Sequence, residues 1–455
     1  MRRKTLLPAL LVVVAAGCQS VLDVKPINEV EEASAITTPA GARAGLAGMF
    51  DALQSTGYYG GTFVLFGDLS ADDVRHTGTF TTYHQADLNT LTADNTTVEG
   101  LWDALYRAVG RANILLLKVP NVPGLAPEER DHILGQAHLV RGLTFHNLVK
   151  LFGEQAPAGI GVPLPLTPPP DIASTANVTR ATTGAVYTQI LSDLAAAESL
   201  FTAAGEGSIG AIRAIRARVY LYQQNWIGAE TEADSVDTFG YTLAPNYADL
   251  FDKDGKSTPE DIFVLTFTPV DFQLLGYYYR AKGTAGGRRE IGPTPAFIRE
   301  YAPGYTGTPA SYVTTDQRGL RNISFQGNTV YGSKWPTGIG AEDFHVIRYA
   351  EVLLIKAEAQ ARQGKLLEAN TPLNAVRARA GLPALDLVAL GQPAAIDSIL
   401  HERLLELAFE GDRWPDLVRT GNAIAILGIA PFQQLYPIPL NELDVAPGLV
   451  QNTGY

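Results

Sequence analysis

The residues best suited to chemistry in this 455-residue chain are tyrosines, carboxylates and arginines gathered in two glycine-bearing stretches. The first holds Tyr58, Tyr59, Asp72, Asp73, Arg75 and Tyr83; the second holds Tyr277, Tyr278, Tyr279, Arg288, Arg289 and Trp335. Aromatic platforms beside groups that hydrogen-bond in pairs suit a ligand with apolar faces and polar edges. Both stretches offer that mixture, and Gly57, Gly60, Gly61, Gly276, Gly286 and Gly287 give their backbones freedom to shape a pocket. Ligand binding is the expectation for these side chains, although each aromatic would serve equally as packing against a helix.

Covalent chemistry has much less support. The seven histidines form no HExxH pair and have no cysteine companions, which argues against a metal centre. His138 and His146, eight apart on one expected helix, read most simply as core or groove residues. Residues 205–210 fit GxGxxG, but a helical pattern precedes them where a dinucleotide site needs a strand, so a turn is expected. Asp252-Lys253-Asp254-Gly255 with Glu260 lacks the ligand alternation of a twelve-residue calcium loop and also reads as a turn. No GxSxG elbow occurs. Glycoside hydrolysis needs two carboxylates facing each other across a bond, whereas Asp72-Asp73 and Glu342-Asp343 are chain neighbours. The expectation is no catalytic residue, no metal and no cofactor.

These side chains must be positioned by helices. In residues 343–382, Ile347, Ala350, Leu353 or Leu354, Ala357 and Ala361 recur every three or four residues. Gly364 ends that helix, and a second carries Leu373, Val376 and Ala380 before Gly381. Pro372 lacks an amide donor, so Thr371 as a cap with Pro372 at the first helical position is the expected restart. Two such helices joined by a short turn form a hairpin of the tetratricopeptide kind, which must stack on others to bury its apolar face. Helical periodicity recurs over 37–53, 98–119, 127–152, 182–201, 211–224, 226–239 and 394–419. Residues 77–97 read as a long loop, 161–170 as an extended proline-rich strap over the helices, and 261–268 as a strand. Residues 269–340 form a loop-rich insertion.

Composition narrows the function further. A hydrophobic content of 46% suffices for a large core, and a net charge of −12 argues against nucleic acid. Arg2, Arg3 and Lys4 precede a short apolar run, with Ala15-Ala16-Gly17-Cys18 after it. That run is too short to span a bilayer and reads as a secretory signal over 1–17. Cys18 is the sole cysteine, so no internal disulfide forms. Small residues before it resemble a bacterial lipobox, which makes Cys18 the expected lipid attachment point and 18–36 a tether ahead of a domain over 37–455.

Several motifs, in order, resemble those of the SusD/RagB family. Residues 18–26 are similar to its CxxxLDxxP opening; Trp102, Tyr106 and Asn113 to its WxxxYxxIxxAN pattern; and RGLTFHNLVKLFG at 141–153 to its RAxxYFxLVxxFG segment. RYAEVLL from Arg348, NAVRARAGL ending at Leu382, ERLLELAFEGDRWPDLVRTG at 402–421, and the YPIP and QNTGY of the tail resemble further family signatures. The resemblance implies a mainly α fold, SusD-like, with tetratricopeptide-like hairpins packed against a loop-rich ligand-binding subdomain and minor β-structure. It implies a lipid-anchored outer-membrane protein, facing outward, that binds oligosaccharides and delivers them to a TonB-dependent, SusC-like transporter without enzymatic chemistry. Oligopeptide capture and a ligand-free envelope scaffold are the alternatives. The motif charges, among them Arg348, Glu351, Glu358, Arg377, Arg379, Glu402, Arg403, Glu406, Glu410, Arg413 and Asp416, are expected to be ion pairs between helices.

Overall fold

The computed structural model describes residues 36–169, 177–204, 208–251, 257–283, 286–338 and 340–455. The leader, Cys18, the tether up to residue 35, half of the GxGxxG run (205–207) and the 252–255 stretch lie outside the described residues. The chain is mainly helical. Two of the first long helices begin at side-chain caps: Thr38 accepts the Gly41 amide at 3.1 Å ahead of α1 (Pro39–Gln54). Helix α2 (Thr62–Leu69), strand β1 (Val74–His76) and helix α3 (Thr81–Asp87) follow. The Asn95 side chain accepts the amides of Thr97 and Val98 to start α4 (Thr96–Lys118), which packs on α5 (Pro127–Phe152).

Helix α5 is the axis of the fold. Every residue from Leu139 to Phe152 is buried, as happens to a helix surrounded on all sides. Arg141 within it forks onto Asp193, at 2.6 and 3.0 Å, and donates to Asn113 at 2.8 Å, so one guanidinium ties three helices together. His138 meets the same Asp193 at 2.8 Å. His146 is buried with neither ring nitrogen hydrogen-bonded, and burial followed by the Lys150 and Arg218 charges pushes its pKa far down, so it is a neutral core residue.

After strands β2 (Ile160–Pro163) and β3 (Arg180–Thr182), helices α6 (Thr183–Ala204) and α7 (Ile209–Tyr222) continue the stack. Helix α8 (Trp226–Asp237) packs on α7. Strand β4 (Asp261–Leu265), helix α9 (Leu275–Tyr279), strand β5 (Ile291–Pro293), helices α10 (Pro295–Tyr301) and α11 (Gln317–Asn322), and the hairpin of β6 (Ile323–Gln326) with β7 (Thr329–Gly332) make up the middle of the chain. Strand β8 (Phe344–Arg348) leads into α12 (Tyr349–Arg362), α13 (Leu366–Arg379), α14 (Gln392–Glu406) and α15 (Arg413–Arg419). Helix α12 packs on α8, α13 and α14. The strands of the described residues form four two-stranded sheets. The strap behaves as expected: its carbonyls at Pro163, Pro165 and Leu166 accept from Tyr106, Asn113 and Arg141.

Four expectations need correction. The 77–97 stretch contains α3 and the first turn of α4, because short helices of polar residues leave no apolar period to read. Residues 344–348 are a strand paired with β4 rather than the start of a helix. Helix α13 runs through Pro372 without a restart; losing one amide donor leaves the remaining bonds and the buried face intact. The 394–419 stretch breaks into α14 and α15, since Phe409 and Gly411 adopt positive φ of 64° and 86°. A Cβ at Gly411 would lie 2.8 Å from the Val64 backbone, so that turn must be glycine to sit against α2.

The motif charges do form buried ion pairs. Arg348 reaches Glu260 at 2.8 Å, Glu406 at 2.5 Å and Glu410 at 2.8 Å. Arg379 also bonds Glu406, Arg318 and Arg377 bond Glu402 at 2.6 and 2.7 Å, and Lys334 bonds Glu410 at 2.5 Å. Arg403 and Arg419 share Asp416, Arg419 also holds Glu358, and Arg218 holds Glu351. Burial pushes Glu410 up, but the Arg348 and Lys334 charges overcome it and leave it at about 2.

Candidate functional site

The two tyrosine-bearing stretches are clamped together by β1 and β5, which pair antiparallel with Val74 opposite Pro293 and His76 opposite Ile291. The clamp extends past the strand ends. The Thr77 amide donates to the Glu290 carbonyl at 2.7 Å, and the Thr79 amide to the Glu290 carboxylate at 3.0 Å. Helix α9 then points three consecutive tyrosines in different directions, since neighbours on a helix lie about 100° apart. Tyr279 faces inward and donates to Asp68 at 2.7 Å. Tyr278 stacks on Tyr83 of α3, with ring centroids 5.1 Å apart and planes 11° from parallel. Tyr277 lies edge-on to Tyr278 and accepts from Arg288 at 3.3 Å. Close approach fixes Gly276, whose Cβ would fall 1.6 Å from the Thr337 carbonyl oxygen.

Beside this shelf is a pocket of about 480 Å³. Phe80, Tyr83 and Tyr278 form its aromatic wall, and Gly57, Gly100 and Ala104 leave room on its floor. Hydroxyls of Ser55, Thr56, Thr62, Thr82, Thr96 and Thr97 line the rest, together with Arg107 of α4. The Arg288 guanidinium lies 4.8 Å from the Phe80 ring centroid and pairs with buried Glu290, so it braces the wall. Burial raises the Tyr278 phenol and holds Tyr83 well above its ordinary value, so both remain neutral donors at physiological pH. Burial likewise lowers His76, which sits 3.7 Å from Glu290 behind the wall. A neutral aromatic shelf with hydroxyls at its edge can stack on a sugar face and hydrogen-bond its rim.

The expected site residues divide sharply. Tyr83, Tyr277, Tyr278 and Arg288 come together at this shelf; Arg75 is exposed on β1, and Arg289 follows the clamp at a positive φ of 53°. The others are corrections. Tyr58 and Tyr59 are 0% and 2% exposed, stacked on each other and hydrogen-bonded by Asn147, so they belong to the core. Trp335 is 1% exposed, with its indole N–H donating to the Phe409 carbonyl at 3.2 Å. Asp72 forks with Arg413 at 2.6 and 2.8 Å, spending its carboxylate on α15. Asp73 is buried with no hydrogen bond to either carboxylate oxygen, and burial, then the Asp68 charge, pushes its pKa well up. Sequence reading missed Phe80 and Arg107. Phe80 stands three residues before Tyr83 in the same polar stretch, a signal that was available; Arg107 sits on the polar face of an amphipathic helix and gives none. Among the described residues no cluster of three or more His, Cys, Asp or Glu is placed to hold a metal ion.

A second cavity of about 450 Å³ lies on the other side of Arg107, between α4 and the strap, with Trp102, Tyr106, Pro163 and Pro165 in its wall. Its Tyr106 hydroxyl and Asn113 amide are spent on strap carbonyls, which leaves it mainly apolar.

Residues 221–455 match the profile described as the SusD family, and residues 22–221 match one described as starch-binding associating with outer membrane. The chain belongs to the SusD family. Similar relatives include SusD-like protein P38 of Formosa agariphila, 26% identical with 96% of each chain covered, and SusD-like protein P25 of the same organism, 23% identical over 96% and 97%. Among solved structures, a laminarin-binding SusD-like protein aligns with a TM-score of 0.77 at 26% identity, covering 92% of this chain and all of that one. A SusD superfamily protein from Bacteroides thetaiotaomicron aligns with a TM-score of 0.76 at 23% identity, over 91% and 99%. The mainly α, SusD-like fold is thus shared along nearly the whole chain. No helix among the described residues is long and apolar enough to cross a membrane.

Proposed function

We propose that this SusD-family chain is a lipid-anchored receptor on the outer face of the outer membrane, which captures oligosaccharides and passes them to a TonB-dependent, SusC-like transporter without covalent chemistry. The observation that carries the reading is the Tyr83–Tyr278 shelf walling a solvent-open pocket ringed by hydroxyls. The family's description as starch-binding and the laminarin-binding relative support a saccharide as cargo. In this reading Tyr277 and Tyr278 form the platform, buried Tyr83 with Phe80 and Arg288 braces it, and Cys18 bears the lipid. Each buried methylene of acyl chain adds about 0.8 kcal/mol, so a multiply acylated Cys18 holds the chain at the membrane while the tether lets it swing over the barrel mouth.

An open pocket of this kind binds in the high-micromolar to millimolar range, about −4 to −6 kcal/mol. Calorimetry across a panel of oligosaccharides tests the reading. Tyr278→Ala removes one of two stacked rings and is expected to weaken binding about tenfold or more. Undiminished affinity in that variant, or no binding by the native chain to any saccharide in the panel, would overturn it.

A further inference from the structure

A pocket for neutral sugars draws on carboxylates and carboxamides, which accept hydroxyl protons and grip two oxygens together. This pocket has neither among its lining residues; its polar groups are Ser and Thr hydroxyls, phenols and the Arg107 guanidinium. Some of the hydroxyls are already used, Thr97 donating to Thr82 at 2.8 Å and Ser55 to the Ala52 carbonyl at 2.9 Å. The nearby acids are committed as well. Glu290 is held by Arg288 and the Thr79 amide, and Glu99 accepts from Asn441. Arg107 itself is exposed and forms no hydrogen bond or ion pair among the described residues; Asp103, one turn earlier on α4, is near enough only to feel its charge. Arg288, the other cation at the shelf, has its charge offset by Glu290. One uncommitted fork of N–H donors thus lines the pocket that the aromatic shelf walls, an arrangement matched to a planar or tetrahedral anion on a sugar ring.

We infer that the pocket selects saccharides bearing an anionic substituent, a carboxylate or a sulfate, and that Arg107 is the residue that reads the charge. The inference rests on the saccharide reading of the pocket.

Calorimetry on the full chain tests it with matched ligands. These are uronate-containing oligosaccharides and their carboxyl-reduced counterparts, and sulfated oligosaccharides and their desulfated counterparts. At least one acidic member is expected to bind about tenfold tighter than its neutral counterpart, with affinity falling as salt is raised past about 0.15 M. Arg107→Gln is expected to remove that advantage, bringing the acidic and neutral members to equal affinity, and Arg107→Lys to restore part of it; Arg107 is exposed, so both variants should keep the native circular dichroism. Which arm responds identifies carboxylate or sulfate. Equal affinity for acidic and neutral members, or an acidic preference that Arg107→Gln leaves intact, overturns the inference. If Tyr278→Ala still weakens binding in those cases, the saccharide reading survives; if no saccharide binds at all, both fall.

Discussion

At the residue scale, burial decides which side chains can meet a ligand. Tyr58 and Tyr278 look alike in the sequence, each beside another tyrosine and within two residues of a glycine. Yet Tyr58 is walled in, its phenol pushed up to about 12 by burial, while Tyr278 borders solvent. Tyr58→Phe deletes the hydroxyl that accepts from Asn147 at 2.7 Å. It is expected to cost about 1–2 kcal/mol in denaturant unfolding with no change in saccharide affinity. A weakened affinity at unchanged stability would contradict the core assignment. Asp73 supplies a second prediction. Its folded-state pKa is raised, so the stability it permits is full below the ordinary carboxylate range and is lost as pH rises through the raised value. Asp73→Asn should therefore flatten the decline in melting temperature between mildly acidic and neutral pH; an unchanged slope would show that Asp73 carries no retained proton. Composition identified the two stretches that build the shelf. It was silent on which of their aromatics faced outward, because that depends on the β1–β5 clamp, whose two three-residue strands show no readable alternation.

At the element scale, the family motifs mark the joints between helices. Glu406 of α14 receives Arg348 from the end of β8, Arg379 from α13 and Arg318 from α11. Burial pushes Glu406 up, and the three arginines together hold it well below the usual range. Removing one member of a buried network leaves charges uncompensated, so Glu406→Gln is expected to destabilise by about 3–5 kcal/mol. Chemical denaturation measures this; a loss below about 1 kcal/mol would mean that the network contributes little. Long helices were legible where capping and 3.6-residue periodicity agree, as in α4, expected over 98–119 and found over Thr96–Lys118. The insertion was legible only as irregular, since α9, β5, α10 and α11 span three to seven residues each, too few for a period to emerge. The α14–α15 break was signalled by Gly411 and passed over.

At the scale of the whole molecule, stiff long helices carry a small open pocket whose aromatic wall comes from the two short helices α3 and α9. That division suits a receptor that must hold one surface constant while its ligand site varies. The anchor is tested separately. Cys18→Ser should move the chain from the membrane fraction to the soluble fraction, and mass spectrometry of the native protein should find acyl chains on Cys18; an unmodified Cys18 on membrane-bound protein would refute the lipid attachment. The most direct test of the central claim is a crystal structure with the tightest-binding oligosaccharide of the panel. The expected result is a sugar ring against Tyr278, with its substituents toward Arg107 and the threonine hydroxyls. A ligand seated instead in the Trp102–Tyr106 cavity, with the Tyr83–Tyr278 shelf empty, would contradict it.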